Sequence, residues 1–445
     1  MYLITQIILS QLKNAIPLKN FTLVVIGGGA AAFFCAVNAA RMNPSLKVII
    51  VEKTNKLLSK VKVSGGGRCN VTHACFEIPE LIKRYPRGKI FLKKCFHWFN
   101  TNHTIQWFEE RGVQLKTESD GRMFPVTDNS QTIIDCLVKE ANKYHVEILM
   151  NRNAERIEIQ NPDIEIRNGD KRFRLYFSDT SARLNSSGGE FLDSDFICIS
   201  CGGYPKSSQF EWLKQTGHTI EEPVASLFTF NIPNDAITSL MGVSVEKAIV
   251  KIQSTKLAET GPVLITHWGL SGPAVLKLSA WGARELASLY YNFTVLINWL
   301  PSFNENSLRD AWPSLRNQFA AQKMSNKNPF GLPNRLWLYF LEINAIDHNL
   351  HWADLPAMLQ NKLVKTLTAH TFQVKGKTTF KEEFVTCGGI KLNEIDANTM
   401  QSKIIPYLFF AGEVMDIDGI TGGFNFQHAW TSGWIAGKAI AAMSS

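Results

Sequence analysis

The stretch that decides the fold is Phe21 to Ala40, FTLVVIGGGAAAFFCAVNAA. Leu23-Val24-Val25-Ile26 is an unbroken apolar run, the composition of a strand covered on both faces in a parallel sheet. Gly27, Gly29 and Ala32 then fit G-x-G-x-x-A, with Gly28, Ala30 and Ala31 between them. In this arrangement Gly27 permits a tight turn and Gly29 lets backbone approach a pyrophosphate. A small residue at 32 seats the following helix close to the strand. The chain stays Ala-rich and apolar to Ala40, which predicts that helix, and its N-terminus offers N–H groups and a positive dipole to phosphates. Lys47 to Val51 reads as a second strand ending at Glu52, with Lys53 beside it. Glu52 stands somewhat beyond the usual ~20 residues for an acid that binds a ribose hydroxyl. A glycine fingerprint alone is weak. Strand, glycines, helix, strand and acid in this order point to dinucleotide binding.

The rest of the chain sets the scale. At 445 residues it is too long for one ordinary core, so two or three domains are expected. A hydrophobic content of 45% with 19% charged residues describes a soluble globular protein, and no apolar run reaches the length of a membrane span. The opening MYLITQIILSQLKNAIPLKN lacks a basic n-region and a small-residue cleavage site, so a short extra helix or strand is expected there rather than a signal peptide. The eight cysteines are scattered without a disulfide framework, which points to a reducing cytoplasm. Cys198 and Cys201 form the one C-x-x-C, but their offset at the end of an apolar strand turns them to opposite faces, so no redox pair is expected. No metal site is expected. The net charge of +8 leans toward an anionic partner.

A second glycine loop follows directly, KVKVSGGGRCN at 60–70. It reads as a loop around a cofactor, with Gly67 giving close approach, Arg68 available to a phosphate or ring carbonyl, and Asn70 carrying both donors and an acceptor. Leu81 to Phe99, LIKRYPRGKIFLKKCFHWF, carries Lys83, Arg84, Arg87, Lys89, Lys93 and Lys94 without an acid. Tyr85, Phe91, Phe96 and Trp98 are interleaved. Cations with aromatics suit phosphate contacts and base stacking on RNA; the competing reading is an amphipathic helix with core aromatics and solvated lysines. In ESDGRMFP, 118–125, Asp120 and Arg122 either brace a turn or face a substrate. Ser130 to Lys143 reads as a helix. From Val146 to Ser200 short alternating segments (EILMN, ERIEIQ, IEIRN, RFRLYF) read as an antiparallel meander, with a Gly/Ser-rich loop at 179–189. Phe196 to Ser200 is a buried strand running into Cys201-Gly202-Gly203.

Beyond that point the pattern shifts to strand-like stretches at 247–253 and 291–300 and a helical region from Leu308 to about His370. The expectation is an α/β domain, residues 21–204 and 384–445, interrupted by a β-barrel-like and then helical insert over 205–383. The C-terminal part returns to the first style. Tyr407 to Phe410 is a buried strand ending in Ala411-Gly412-Glu413. A Gly422-Gly423 turn leads through Phe424 to a helix from about Asn425. A second ligand loop at a helix N-terminus suits a cofactor too long for one crossover, so FAD fits better than NAD.

These residues resemble the BaiN/RdsA-type family of bacterial flavoproteins over about 21–440. The resemblance is carried by GGGAAA at 27–32, SGGGRCNVT at 64–72, SDGRMFPV at 119–126, THWGLSGPAVLKLS at 266–279, TCGGI at 386–390, and TMQSK with FAGEVMDIDGITGGFNFQ toward the end. It departs from the family's usual pattern at Ala32, in the short YPKSSQFEW after Gly203, and at His428, where an aromatic is usual. The resemblance implies a glutathione-reductase-like Rossmann FAD domain interrupted by an insert, NAD(P)/FAD-dependent redox chemistry and reduction of carbon–carbon double bonds, with one branch tied to bile acids and another to dihydrouridine in 23S ribosomal RNA. FAD would then meet Glu52 through its adenosine, Gly27 to Ala32 through its pyrophosphate, Glu413 near its ribityl chain, and the turn at Gly422-Gly423 at the ring. Reduction of an enone or a uracil needs a proton donor, for which Cys69, Arg122, His267 and His428 are candidates. No second glycine fingerprint is evident, so NAD(P)H is expected as a transient donor. Three readings follow: a flavoenzyme on structured RNA, a flavoenzyme on a small unsaturated metabolite, and a flavin-binding assembly protein without turnover.

Overall fold

The computed structural model describes residues 21–160, 171–178, 190–379 and 385–445. The expectations for residues 1–20, for a strand at 164–168, for the loop at 179–189 and for a boundary at 384 lie outside these. The chain forms two compact units. The first contains residues up to Pro223 together with Gly388–Ile417 and Gly422–Ser445; the second spans Val224–Cys387 and Asp418–Thr421. Residues 205–223, placed with the insert on sequence, belong to the first unit.

The first unit is built on a five-stranded sheet. Its elements, in chain order, are β1 (Thr22–Ile26), α1 (Ala30–Met42), β2 (Lys47–Val51), α2 (Lys89–Trp98), β3 (Glu147–Leu149), β4 (Phe196–Ile199), β5 (Leu408–Phe410) and α3 (Phe424–Met443). The strands are parallel in the order β5-β4-β1-β2-β3. β1, β4 and β5 are fully buried, which is why each is a continuous apolar run. β3 corrects the sequence expectation. Glu147–Leu149 joins this sheet beside β2 rather than the meander. It is an edge strand, so part of it meets solvent, and the resulting polar-apolar alternation mimics an antiparallel strand. The meander itself is Ala154–Ile159, Phe173–Phe177 and Phe191–Ser194, paired antiparallel.

α1 and α3 pack against each other through glycine. A Cβ on Gly433 would fall 2.5 Å from Ala31 O, and one on Gly437 2.6 Å from Cys35 O. Both contacts advance by four residues along both helices, so the two helices run parallel. Counting back at 1.5 Å per residue, the α3 N-terminus precedes that of α1 by roughly 12 Å along the common direction.

The second unit is an antiparallel sheet with helices. Its strand order is His370–Lys375, Asn292–Asn298, Ser244–Ile252, Ala258–Ile265, Gly269–Ser271, Thr229–Asn231, Lys377–Thr378. The first and last are one stretch of chain bent at Gly376, whose φ of +92° favours glycine. One half pairs with Asn292–Asn298 and the other with Thr229–Asn231, so the sheet closes on itself like a barrel. Helices Glu305–Gln318, Asn334–Ile343 and Ala357–Ala369 add the helical part, with Trp312, Trp337 and Trp352 fully buried among them. Among the described residues no helix is long and apolar enough to cross a membrane.

Candidate functional site

The end of β1 is shaped by one steric requirement. Gly27 has φ +115°, and a Cβ there would stand 2.4 Å from Ser200 O at the end of β4. Only glycine lets the two strands finish this close together. Gly28 packs under Leu57 and beside Glu52. Gly29 is the N-cap of α1, which has no side-chain cap, and a Cβ on Gly29 would meet nothing within 4 Å. The first-turn N–H groups of Ala30, Ala31 and Ala32 have no side-chain cap and carry the positive end of the helix dipole.

Glu52 closes the loop from the end of β2. Its Oε2 accepts the Gly28 N–H at 2.8 Å, and its Oε1 accepts the N–H and the hydroxyl of Thr54, each at 2.8 Å. The carboxylate keeps further lone pairs for a ribose. Lys53 Nζ lies 5.4 Å from the ring centre of Tyr204, which follows closely on Gly202. Gly202 has φ +77°, and a Cβ on it would meet nothing within 4 Å.

The second glycine loop is not all loop. Ser59–Gly67 begins as helix and breaks at Ser64, Gly65 and Gly66. Apolar Val61 anchors the helical start in the core, while the glycines end it. The directions a Cβ would take from Gly66 and Gly67 are both open. Arg68 is held by partners on 115–128. Its Nη1 donates to Glu118 Oε1 at 2.5 Å, and its guanidinium covers the Phe124 ring at 4.0 Å. Asp120 and Arg122 brace a turn: Arg122 Nε donates to Asp120 Oδ2 at 2.7 Å, and Arg122 Nη2 to Glu118 Oε2 at 3.0 Å.

The C-terminal return meets both glycine loops. Gly412 has φ +76°, and its N–H donates to Ser432 Oγ at 2.9 Å. Glu413 Oε2 accepts from Lys60 Nζ at 2.6 Å, tying the second loop to the third. Gly422 and Gly423 have φ +129° and +93°, and Gly423 is the N-cap of α3, again without a side-chain cap. A Cβ on Gly423 would stand 2.6 Å from Thr72 O. The Asn70 carboxamide fixes this turn, its oxygen accepting the Gly423 N–H at 3.0 Å and its nitrogen donating to Thr72 O at 2.9 Å. His73 Nδ1 lies 3.0 Å from Gly422 O, and its ring stacks on Phe424 at 4.7 Å. Tyr85 Oη donates to Phe424 O at 2.7 Å, and Asn425 continues the first turn of α3.

The four candidate proton donors fare differently. Cys69 is fully buried, and burial pushes its thiol up to about 12. It packs rather than ionises. His428 is buried, and burial pushes its imidazole down to about 4. Its Nε2 lies 3.2 Å from Gly412 O, so the neutral ring spends its one N–H holding that turn. Arg122 is spent as a hydrogen-bond donor to Asp120 and Glu118. His267 belongs to the second unit, in an exposed turn beside Trp268. Sequence reasoning alone misses His73 and Lys60, and reads Tyr85 as one of the aromatics for stacking rather than as a partner of the Phe424 turn. His73 stands at the end of the SGGGRCNVTH stretch, and that position is the available signal.

The geometry fits an extended dianion. Two helix N-termini without side-chain caps point the same way, offset by about 12 Å along their common direction, that of α1 with an open glycine cradle and an acid at its rim. A pyrophosphate with a ring system beyond it has this form. The first unit is thus a Rossmann-type FAD-binding α/β fold, and the protein is an FAD-dependent oxidoreductase. It belongs to the HI0933-like family, whose Rossmann-domain profile matches residues 21–439. A ribosomal RNA dihydrouridine synthase from Escherichia coli is 29% identical over 437 residues, covering 96% of this chain and 100% of that protein. A 3-dehydro-bile acid delta(4,6)-reductase from Clostridium scindens is 24% identical over 428 residues, covering 94% and 98%. The 3-ketosteroid delta1-dehydrogenase of Sterolibacterium denitrificans, solved with 1,4-androstadiene-3,17-dione, shares the fold with a TM-score of 0.51 at 11% identity, covering 95% of this chain and 100% of that one.

Proposed function

We propose that the protein saturates a carbon–carbon double bond, converting uridine to dihydrouridine in 23S ribosomal RNA, with NAD(P)H as a transient donor in the cytoplasm. The observation that carries this reading is the end-to-end match to a ribosomal RNA dihydrouridine synthase, 29% identical with no part of that protein left uncovered. A second synthase, from Haemophilus influenzae, is 28% identical over 426 residues. The uracil ring and the unsaturated bile acid share one reactive feature, a double bond conjugated to a carbonyl. FAD supplies hydride transfer to such a bond. The chain's part is to hold and orient it: the Gly29–Ala32 backbone at the pyrophosphate, Glu52 at the ribose, and the Asn70-braced Gly423 turn with the α3 N-terminus at the carbonyl edge of the ring, where positive dipole favours developing negative charge.

The alternative substrate is a small unsaturated metabolite, favoured by the Clostridium scindens relative. The purified protein with FAD, NADPH and an unmodified 23S transcript separates the two. Dihydrouridine found by nucleoside mass spectrometry supports the RNA reading. Turnover of small enones with an unmodified transcript left intact supports the other.

A further inference from the structure

Part of the basic stretch at 81–99 forms one wall of a groove of about 510 Å³. Lys89, Ile90, Phe91 and Lys94 lie on this wall, and Asp396 and Lys403 lie on the other. Lys89 and Lys94 are exposed and form no ion pair with the described residues. Lys403 is exposed and donates to Asn393 O at 2.9 Å, which holds its ammonium beside the groove. Asp396 is the one carboxylate that lines the groove among the described residues. Its Oδ1 is engaged by its own turn, accepting the Asn398 N–H at 2.8 Å and the Asn398 carboxamide at 3.2 Å. Three lysine side chains therefore line this space against one aspartate among the described residues.

The same wall is fixed to the candidate flavin site. Tyr85, just before it, donates to Phe424 O at the first residue of α3. Gly88 packs so tightly on Ile417 that a Cβ would stand 2.5 Å from it. The wall that carries the groove is thereby tied to the turn that would hold the flavin ring. Apolar surface accompanies the charge: Ile90, which lines the groove, is 75% exposed.

We propose that this groove binds the phosphate backbone of the RNA beside its target uridine. The inference rests on the RNA reading under Proposed function. Lysines are point charges that follow a flexible backbone without fixed geometry, and exposed apolar side chains accept any base face. Among the described residues that line the groove none is a buried, fixed polar side chain that would read a sequence, which suits backbone contact rather than base readout. The structure also revises the sequence expectation for this stretch. Tyr85 and Phe96 are fully buried and stack on no base, and Lys83 pairs with Glu80 at 2.6 Å. Lys93, although exposed, does not line the groove.

The test is a salt series of affinity for an unmodified 23S transcript, using the full FAD-loaded chain and the variant Lys89→Glu/Lys94→Glu. Each lost phosphate contact lowers the slope of log affinity against log salt by about 0.7 on single strands, so the double reversal is expected to flatten it by about 1.4 or more. FAD content and thermal stability should stay as in wild type. Lys403→Glu, on the opposite wall, should flatten the slope by about 0.7 and serves if the double variant loses FAD. Lys83→Glu/Lys93→Glu is the control of equal charge outside the groove. An equal flattening by that control would overturn the proposal, as would an unchanged slope for the groove variants, which would leave the groove to an acidic protein partner. If wild type itself shows no salt-dependent affinity for the transcript, the RNA reading fails and the groove proposal fails with it. If wild type binds steeply and the groove variants match it, the groove alone is wrong.

Discussion

Glu52→Ala separates two roles that one carboxylate plays. In the protein alone, Glu52 accepts the N–H of Gly28, a buried residue, at 2.8 Å. Its contacts to Thr54 are exposed and water can replace them. Removal therefore orphans one buried N–H, at a cost of about 1–3 kcal/mol. For a unit of this size that lowers the apo melting temperature by roughly 2–4 °C per kcal/mol. With FAD, a charge-assisted hydrogen bond to the ribose is lost as well, worth about 1.5–3 kcal/mol, or roughly 10- to 150-fold in Kd. Glu52→Gln keeps an oxygen for Gly28 and should recover most of the apo stability while still weakening FAD. Melting of flavin-free protein reads the first role, and fluorescence titration with FAD reads the second. An Ala variant with FAD affinity within twofold of wild type and an unmoved apo melting temperature would refute the placement of the adenosine at β2.

Gly29→Val should cost apo stability only about 1 kcal/mol, the loss of a tolerated N-cap residue, since Gly29 has φ −96° and open space around its Cβ direction, yet the purified protein should lose its yellow colour; retained FAD would show the cradle to be misassigned. Gly27→Ala should instead fail to fold or melt far lower, because its Cβ would press on Ser200 O, and a normal melting curve would contradict that. Burial holds the folded pKa of His428 at about 4 against an ordinary 6.5, so the unfolded chain takes the proton first as pH falls. Stability contributed by the neutral ring is thus complete above about 6.5 and lost down to about 4, and His428→Gln should melt with a shallower acid dependence over that window. Equal slopes for the two proteins in a melting series would remove His428 from the acid response.

The glycine loops were legible because their demands are local. Positive φ at Gly27 and Gly423 and an uncapped helix after each leave a signature within a few residues. What joins the loops was not legible. The Lys60–Glu413 pair and the Asn70–Gly423 bond link residues hundreds of positions apart, and nothing in either segment names its partner. The aromatics of 81–99 misled for a related reason. Periodicity separates an inner face from an outer one only when both are sampled, and the chain bends at Pro86 and Gly88 between Tyr85 and α2. Tyr85 therefore enters the core beside Phe424 instead of extending a surface stripe. The barrel-like closure of the second unit depends on one bend at Gly376, in a short strand whose two halves pair with strands far apart in sequence.

The central claim is that FAD held in this cradle is used to saturate uridine in 23S ribosomal RNA. The most direct measurement is dihydrouridine in 23S RNA, by nucleoside mass spectrometry, from cells lacking the gene and from the same cells carrying the wild-type or the Gly29→Val gene. The account predicts that dihydrouridine disappears on deletion, returns with the wild-type gene and stays absent with Gly29→Val at equal protein level. Dihydrouridine unchanged by the deletion would contradict it.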